Sequence, residues 1–168
     1  HTETVDSDGN VGAGISLALD SSSRPHIGYY DFTNQDLKYA YYDGTAWHIE
    51  TVDSAGDVGL APFLALDAAD RPHISYYDGT SGDLKYAWHD GISWGFEVVD
   101  STGNVGTAAS LTLGAADQPH ISYYDATNGD LKYAFRGSAV KRSIGIQGRM
   151  LFFSFSLAHS GLYAPRPM

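Results

Sequence analysis

The fold is decided by one stretch of the sequence, Arg71–Ala87, which reads RPHISYYDGTSGDLKYA. Two further copies are present, RPHIGYYDFTNQDLKYA at Arg24–Ala40 and QPHISYYDATNGDLKYA at Gln118–Ala134. Equivalent residues of successive copies lie 47 positions apart. A period of roughly 20–50 residues is typical of solenoids, propellers and other arrays in which one small unit stacks on the next. The chain is therefore expected to repeat one supersecondary unit.

Each unit contains four short runs whose alternation of apolar and polar residues predicts β-strands. In the first unit these runs are Ile15–Asp20, His26–Asp31, Leu37–Asp43 and Trp47–Asp53. Turn residues separate them, including an Asp-Gly pair typical of tight hairpins. Four antiparallel strands in about 40–50 residues are typical of one β-propeller blade. We therefore predict an all-β fold of three four-stranded antiparallel blades, in preference to a β-solenoid or an open β-array.

The repeats end before the chain does. The three units span residues 15–53, 62–100 and 109–135, and residues 1–6 match the fourth strand of a unit. Residues 136–168 contain five Lys or Arg and no acid, whereas residues 1–135 contain all 20 acidic residues. We expect a propeller region at 1–135 and an atypical basic and apolar tail at 136–168. Within the tail, Val140–Ile146 is a candidate for the missing fourth strand, and Leu151–Leu157 is a further strand, prone to aggregation if exposed.

Composition limits the classes of function. With 43% hydrophobic residues the chain should fold, and its formal net charge of -10 argues against nucleic acid or an anionic membrane as partner. No run approaches the roughly 18 apolar residues of a membrane span. There is no cysteine, which removes thiol chemistry and disulfides. Neutral polyols and cations remain open as ligands.

The number of blades predicts self-association. Propeller rings have about 4–8 blades, so three cannot close one. Residues 2–6 match the strand that the last unit lacks, and propellers commonly close by pairing terminal strands within one blade. We expect a homo-oligomer, with a dimer of six blades favoured, in which residues 2–6 exchange between chains. Such head-to-tail contacts form a ring or, if the rotation does not close, a filament.

Several motifs resemble a known group of proteins. PHISYYD at residues 72–78, TNGDLKYA at 127–134 and DGTAW at 43–47 resemble repeats of bacterial extracellular β-propellers of the Asp-box or BNR-like kind. The small number of blades per chain is similar to that of oligomeric propeller lectins. The resemblance covers residues 1–135, and it implies an extracellular or cell-surface protein with lectin-like carbohydrate binding.

The resemblance does not imply an enzyme. Sialidases of the Asp-box kind use an arginine triad, whereas the repeats here contain only Arg24 and Arg71, with Gln118 at the third position. Two acids five residues apart would suit a retaining glycosidase, but three near-equal copies favour a multivalent binder over one asymmetric catalytic centre. We therefore predict a non-enzymatic, multivalent carbohydrate-binding protein. The alternatives are a self-assembling structural protein without a small ligand, or a fragment of a longer propeller.

The candidate ligand-binding residues lie in and beside the turn after the second strand of each unit. There, carboxylates that accept hydrogen bonds from sugar hydroxyls stand next to aromatic rings that can cover the apolar face of a sugar. The set comprises Tyr30, Asp31, Asp36, Tyr77, Asp78, Asp83, Tyr124, Asp125 and Asp130. The alternative is that these aspartates cap the turns by accepting hydrogen bonds from their own backbone.

No cofactor and no resident metal is predicted. The stretch DSDGN at Asp6–Asn10 resembles the start of a calcium loop, but the later copies, DSAGD and DSTGN, lack its second acid, so calcium is a weak alternative. A structural role is expected for the other repeated polar and aromatic residues. They are His26, His73 and His120 at strand starts, Trp47 and Trp94 in blade packing, and Lys38, Lys85 and Lys132 offsetting the acids.

Overall fold

The computed structural model describes residues 1–137 and 152–155. Within these ranges the chain forms three four-stranded antiparallel sheets, each with its strands in chain order. The strands are β1 Val11–Leu19, β2 Pro25–Asp31, β3 Asp36–Tyr42 and β4 Trp47–Asp53; β5 Val58–Leu66, β6 Pro72–Asp78, β7 Asp83–His89 and β8 Trp94–Asp100; and β9 Val105–Leu113, β10 Pro119–Asp125, β11 Asp130–Arg136 and β12 Phe152–Phe155. One 3₁₀ turn, Ala115–Asp117, precedes β10. The prediction of an all-β fold made of propeller-like blades is confirmed.

The first strand of each blade is longer than predicted. β1 begins at Val11, four residues before the expected start at Ile15, and β5 and β9 begin at the equivalent positions. In all three, the register with the next strand shifts near the beginning. A glycine with positive φ lies in each irregular stretch, at Gly12, Gly59 and Gly106. Such bulged stretches break the alternation of side chains, so the sequence pattern did not reveal them.

The core lies between blades. One apolar cluster joins the first blade to the second, and its members are Leu37, Tyr39, Val52, Val58, Leu64, Ile74, Tyr76 and Ala87. A second cluster repeats this arrangement between the second and third blades. The first strand of a blade provides much of the contact, since β5 packs against β1, β2 and β3. Each blade is therefore stabilised by its neighbour rather than by a core of its own.

A charged contact repeats at each blade boundary. The Lys85 ammonium lies 2.6 Å from the carboxylate of Asp53 at the end of β4, and the Tyr76 hydroxyl donates to the same carboxylate at 2.7 Å. Asp100 holds the same relationship to Lys132 and Tyr123 in the third blade. The prediction that these lysines offset the acids is confirmed.

The leading residues occupy the place of a preceding blade's fourth strand. Residues 2–6 form no strand with the first blade, yet Asp6 accepts from the Tyr29 hydroxyl at 2.6 Å and from Lys38 at 3.0 Å. These contacts match those of Asp53 with the second blade. The start of the chain is thus held where a preceding blade would end.

The fourth strand of the third blade comes from the tail. β12 pairs antiparallel with β11, with Tyr133 opposite Phe155 and Arg136 opposite Phe152. This confirms a strand within the predicted Leu151–Leu157 run, and it places that strand in the position for which Val140–Ile146 was the candidate. Val140–Ile146 lies outside the described residues. The domain division at residue 135 stays a prediction. No helix in the described part of the chain is long and apolar enough to cross a membrane.

Candidate functional site

A cavity of about 250 Å³ lies between the first and second blades. It is lined by His26, Tyr39, Tyr41 and Glu50 of the first blade and by Asp70, Arg71, Pro72, His89, Gly91 and Trp94 of the second. We call it the interblade pocket. Arg71 precedes β6 and Gly91 lies between β7 and β8, so the pocket opens at the end of the blades opposite the β6–β7 turn. The sequence prediction placed the site at that other end.

The β-strand geometry of the first blade places an aromatic wall beside a carboxylate. Tyr39 and Tyr41 are two residues apart on β3, so their side chains lie on the same face. Glu50 of β4 is directly opposite Tyr39 in the sheet register. The rings of Tyr39 and Tyr41 are stacked, with centroids 5.7 Å apart and 26° between their planes.

Trp94 joins the two blades across the pocket. Its indole nitrogen donates a hydrogen bond to Oε2 of Glu50 at 2.9 Å. Its ring meets Tyr39 edge-on, with centroids 5.5 Å apart. The predicted packing role of Trp94 is thus observed, together with a polar contact that fixes the Glu50 carboxylate in the pocket wall.

The charged residues on the second-blade side are held rigidly. Arg71 donates from Nε to Asp67 at 2.6 Å and from Nη1 to the carbonyl of Asp90 at 3.2 Å. The Asp70 carboxylate accepts from the backbone and the hydroxyl of Ser21 at 2.9 and 2.6 Å. Because these groups are already positioned, a ligand would meet a preformed rim.

His26 lies at the base of the pocket and is buried. Its Nδ1 shares a hydrogen bond with the Tyr39 hydroxyl, and its Nε2 lies 3.7 Å from Asp20. Burial lowers the pKa of His26 below its ordinary value, although the charge of Asp20 opposes this shift. His73 repeats the arrangement with Tyr86 and Asp67. The predicted structural role of these histidines is confirmed, with a tyrosine hydroxyl as the main partner.

The pocket has the chemistry of a small polyhydroxylated ligand site. Its volume is below the roughly 300–1,000 Å³ typical of sites for drug-sized ligands and suits something near the size of one sugar ring. Glu50 offers a carboxylate acceptor, Arg71 offers a cationic donor, and Tyr41 offers an aromatic ring.

The three tyrosines of the site predicted from sequence lie in different environments. Tyr30 is buried, and its hydroxyl donates to Asp57 of the second blade at 2.6 Å. Burial and this hydrogen bond raise the pKa of Tyr30 to about 12. Tyr77 donates in the same way to Asn104 at 2.9 Å, whereas Tyr124 in the last blade is exposed. Tyr30 and Tyr77 therefore link blades.

The aspartates of that site fall into two groups. Asp31, Asp78 and Asp125 are buried, and each accepts from two backbone amides of its own turn, such as those of Thr33 and Asn34 at 2.9 and 3.1 Å from Asp31. This is the geometry of the turn-capping alternative. The second group is at least partly accessible, and it comprises Asp36, Asp83 and Asp130. A ligand-binding role for the nine residues stays a prediction.

Asp6 of the suggested calcium loop takes part in protein contacts instead. Its carboxylate accepts from the backbone of Asp8 in addition to Tyr29 and Lys38. Although burial opposes the shift, these hydrogen bonds lower the pKa of Asp6 to about 2. Within the described residues no group of three or more acidic, histidine or cysteine side chains is arranged to hold a metal ion.

Sequence reasoning did not single out Tyr41, Glu50 and His89, which line the interblade pocket, and treated Trp94 only as packing. The available signal was the recurrence of tryptophan directly after the turn following the third strand, with glutamate three residues later, at Trp47 and Glu50 and at Trp94 and Glu97. The contact itself joins Glu50 of one unit to Trp94 of the next. A pattern within one unit could not reveal this pairing.

No protein-family model and no curated protein sequence matches this chain. Among solved structures, the chain is similar to a fucose lectin from Kordia zhangzhouensis in complex with methyl-fucoside, with 23% sequence identity and a TM-score of 0.51. The match covers 74% of this chain and 93% of the lectin chain. At this identity the similarity concerns the fold alone, and the specific resemblance to Asp-box repeats stays a prediction. The chain is thus similar in fold to a lectin and has an all-β, propeller-like repeat architecture.

Proposed function

We propose that this protein is a non-enzymatic carbohydrate-binding protein and that the interblade pocket holds one sugar residue. The observation that carries the proposal is the Glu50 carboxylate, fixed by Trp94 beside the rings of Tyr39 and Tyr41 in a small preformed cavity. The lectin of similar fold supports the ligand class. An extracellular or cell-surface location goes with this function and is part of the proposal.

The proposed contacts follow from the chemistry of the pocket walls. A sugar hydroxyl donates to Glu50, whose Oε1 accepts no hydrogen bond from the described part of the chain. A second hydroxyl accepts from the guanidinium of Arg71, which keeps donor capacity beside its contacts with Asp67 and Asp90. The apolar face of the sugar packs against Tyr41.

The test is a glycan array followed by calorimetric titration, with methyl-fucoside as the first single-sugar probe. Glu50→Gln keeps an acceptor for the Trp94 indole but removes the charge, so we expect affinity for the bound glycan to fall about tenfold, as for loss of a charged hydrogen bond. Tyr41→Ala should weaken binding by a similar factor. An array with no bound glycan would contradict the proposed function.

The residues predicted from sequence remain a second candidate site for the same ligand class. The control is therefore a triple variant of the accessible aspartates, Asp36→Asn, Asp83→Asn and Asp130→Asn. We expect it to bind glycan like the original protein. If it loses binding while Glu50→Gln keeps it, the ligand binds at the acidic turns instead.

Multivalency would arise from head-to-tail association of two or more copies. Leu17 on the first blade is 61% exposed, whereas its equivalent in the second blade, Leu64, is 4% exposed. At the other end, Leu131 of the third blade is 78% exposed, whereas its equivalent Leu84 is fully buried. The outer faces of the first and third blades thus expose residues whose equivalents in the second blade are buried against a neighbour.

The two exposed ends are complementary. A cavity of about 260 Å³ on the first blade is lined by Val11, Gly12, Ile15, Ile27 and Tyr29, together with residues 4–6. Leu131 is the third-blade equivalent of Leu37 and Leu84. Each of these leucines packs in an apolar cluster with residues of the following blade. We therefore propose that Leu131 of one copy enters this cavity of another. In this arrangement residues 2–6 replace β12 beside β11 of the partner, and a dimer has six blades.

The same exposed ends favour the second candidate function, a self-assembling protein without a small ligand. Measurements of assembly and of glycan binding distinguish the two functions. An assembly that forms through these ends yet binds no glycan supports the structural function, whereas glycan binding that is lost in Glu50→Gln supports the lectin-like function.

A further inference from the structure

We infer that the gap between the second and third blades is a second copy of the interblade pocket and that the chain closes it with Arg136. Part of its walls repeats that of the first pocket at a spacing of 47 residues, whereas Gln118 stands where Arg71 lines the first pocket. Tyr86, Trp88 and Glu97 correspond to Tyr39, Tyr41 and Glu50. Arg136 occupies the position that His89 has beside the first pocket.

Arg136 contacts the second-gap equivalents of three residues that line the first pocket. Its Nη2 donates to Glu97 at 2.5 Å. Its guanidinium lies over the ring of Trp88, 4.9 Å from the centroid, and over that of Tyr86 at 5.8 Å. The guanidinium therefore covers the acceptor and the aromatic surface that are open in the first gap.

The side chain of Arg136 is held firmly by its contacts. The Arg136 side chain is 15% exposed and that of Glu97 is 24% exposed. A guanidinium that stacks on an aromatic ring while pairing with a carboxylate combines two favourable interactions of arginine. In the first gap, the indole of Trp94 makes the contact with glutamate, and His89 lines the cavity together with Tyr41.

The consequence is one open pocket per chain in the gaps between its own described blades. With respect to ligand class, the inference rests on the proposed function: once Arg136 is removed, the second gap takes a small polyhydroxylated ligand through Glu97 and Trp88, without the guanidinium contact that Arg71 makes in the first pocket. The closure itself does not depend on that ligand, because it is defined by contacts within the chain.

Two measurements on the full chain test the inference. In the first, ethylguanidinium is titrated into Arg136→Ala as a substitute for the missing side chain. Its binding is monitored through the NMR signal of the Trp88 indole N–H. We expect a saturable shift in Arg136→Ala and none in the original protein, whose gap is filled. Adding Glu97→Gln to Arg136→Ala should weaken ethylguanidinium binding at least tenfold.

The second measurement is the calorimetric stoichiometry of the glycan identified on the array. We expect Arg136→Ala and Arg136→His to bind one more glycan per chain than the original protein, and Arg136→Lys to bind no additional glycan. An unchanged stoichiometry in variants whose NMR spectra show folded protein overturns the inference. If the original protein binds no glycan, the proposed function fails, whereas saturable ethylguanidinium binding at Trp88 still supports a gap closed by Arg136.

Discussion

Gly59 of the second blade lies directly against Leu37 of the first, since a Cβ added to Gly59 would be 2.5 Å from the Cα of Leu37. Gly12 is the equivalent residue of the first blade and has a similar positive φ, but an added Cβ there would meet nothing within 4 Å. The two glycines therefore differ only in whether a preceding blade is present.

This difference predicts unequal costs for the same substitution. In a single, unassociated copy, Gly12→Ala should lower the free energy of unfolding by about 1 kcal/mol through the backbone conformation alone. Gly59→Ala should cost roughly 1–3 kcal/mol more, because the methyl group overpacks the blade boundary. Urea unfolding of the two variants, measured at a protein concentration at which the chain is monomeric, gives the comparison. Equal losses would mean that the blades do not pack as described.

Self-association should depend on Leu131. Leu131→Asp places a charge on the surface that we propose enters the first blade of a second copy, so light scattering should show a monomer where the original protein is a dimer or larger. Ile92→Asp is the matched control, because Ile92 is also exposed but lies in the β7–β8 turn. A monomeric original protein, or dissociation in both variants alike, would contradict the proposed interface.

Removal of the tail should strengthen association. β12 occupies the edge of β11 where we propose that residues 2–6 of a second copy pair. A chain ending at Gly137 keeps Arg136 but exposes this edge, and exposed edges pair readily with other strands. We expect the dimer dissociation constant to fall about tenfold, equivalent to roughly 1.4 kcal/mol, in sedimentation experiments. Weaker association after truncation would instead mean that β12 itself makes the intermolecular contact.

The ion pair between Asp53 and Lys85 should make stability depend on acid pH. Although burial opposes the shift, hydrogen bonds from Lys85 and Tyr76 lower the pKa of Asp53 below its ordinary value. The stabilisation is therefore complete above the unfolded pKa of 3.8 and is lost as the pH falls through the folded pKa. Asp53→Asn should cost about 2 kcal/mol at pH 7 and much less near pH 2. The control is Asp8→Asn, which removes the charge of an exposed aspartate.

The buried histidines should add a loss of stability at milder pH. Burial lowers the pKa of His26 and of His73 from the ordinary 6.5. As the pH falls, the histidines are therefore protonated in the unfolded chain before they are protonated in the folded protein. The free energy of unfolding is highest above pH 6.5 and declines as the pH falls toward the folded pKa. In a His73→Gln variant the slope of stability between pH 6.5 and 5 should be shallower than in the original protein. An identical slope would contradict a neutral, buried His73.

The sequence was sufficient for the blades because the local pattern repeats. Ser75 separates Ile74 from Tyr76 on β6, and Ala87 separates Tyr86 from Trp88 on β7, and this alternation predicts strands with two different faces. The early start of β1 was missed because Gly12 and Gly14 adopt positive φ, which breaks the period of two. The interblade pocket was missed for a different reason. It combines side chains of neighbouring units, such as Glu50 and Trp94, and a repeat pattern does not state which residues of two copies meet.

The apolar clusters and charged contacts between blades join each blade only to its neighbours. In such a linear array, stability is approximately the sum of each unit's own stability and its nearest-neighbour interfaces. The second blade has two such interfaces, whereas the first and third have one each within the described chain. In a single copy, the backbone amides of β6 and β7 should therefore be the slowest to exchange with deuterium, and unfolding should proceed from the outer blades inward.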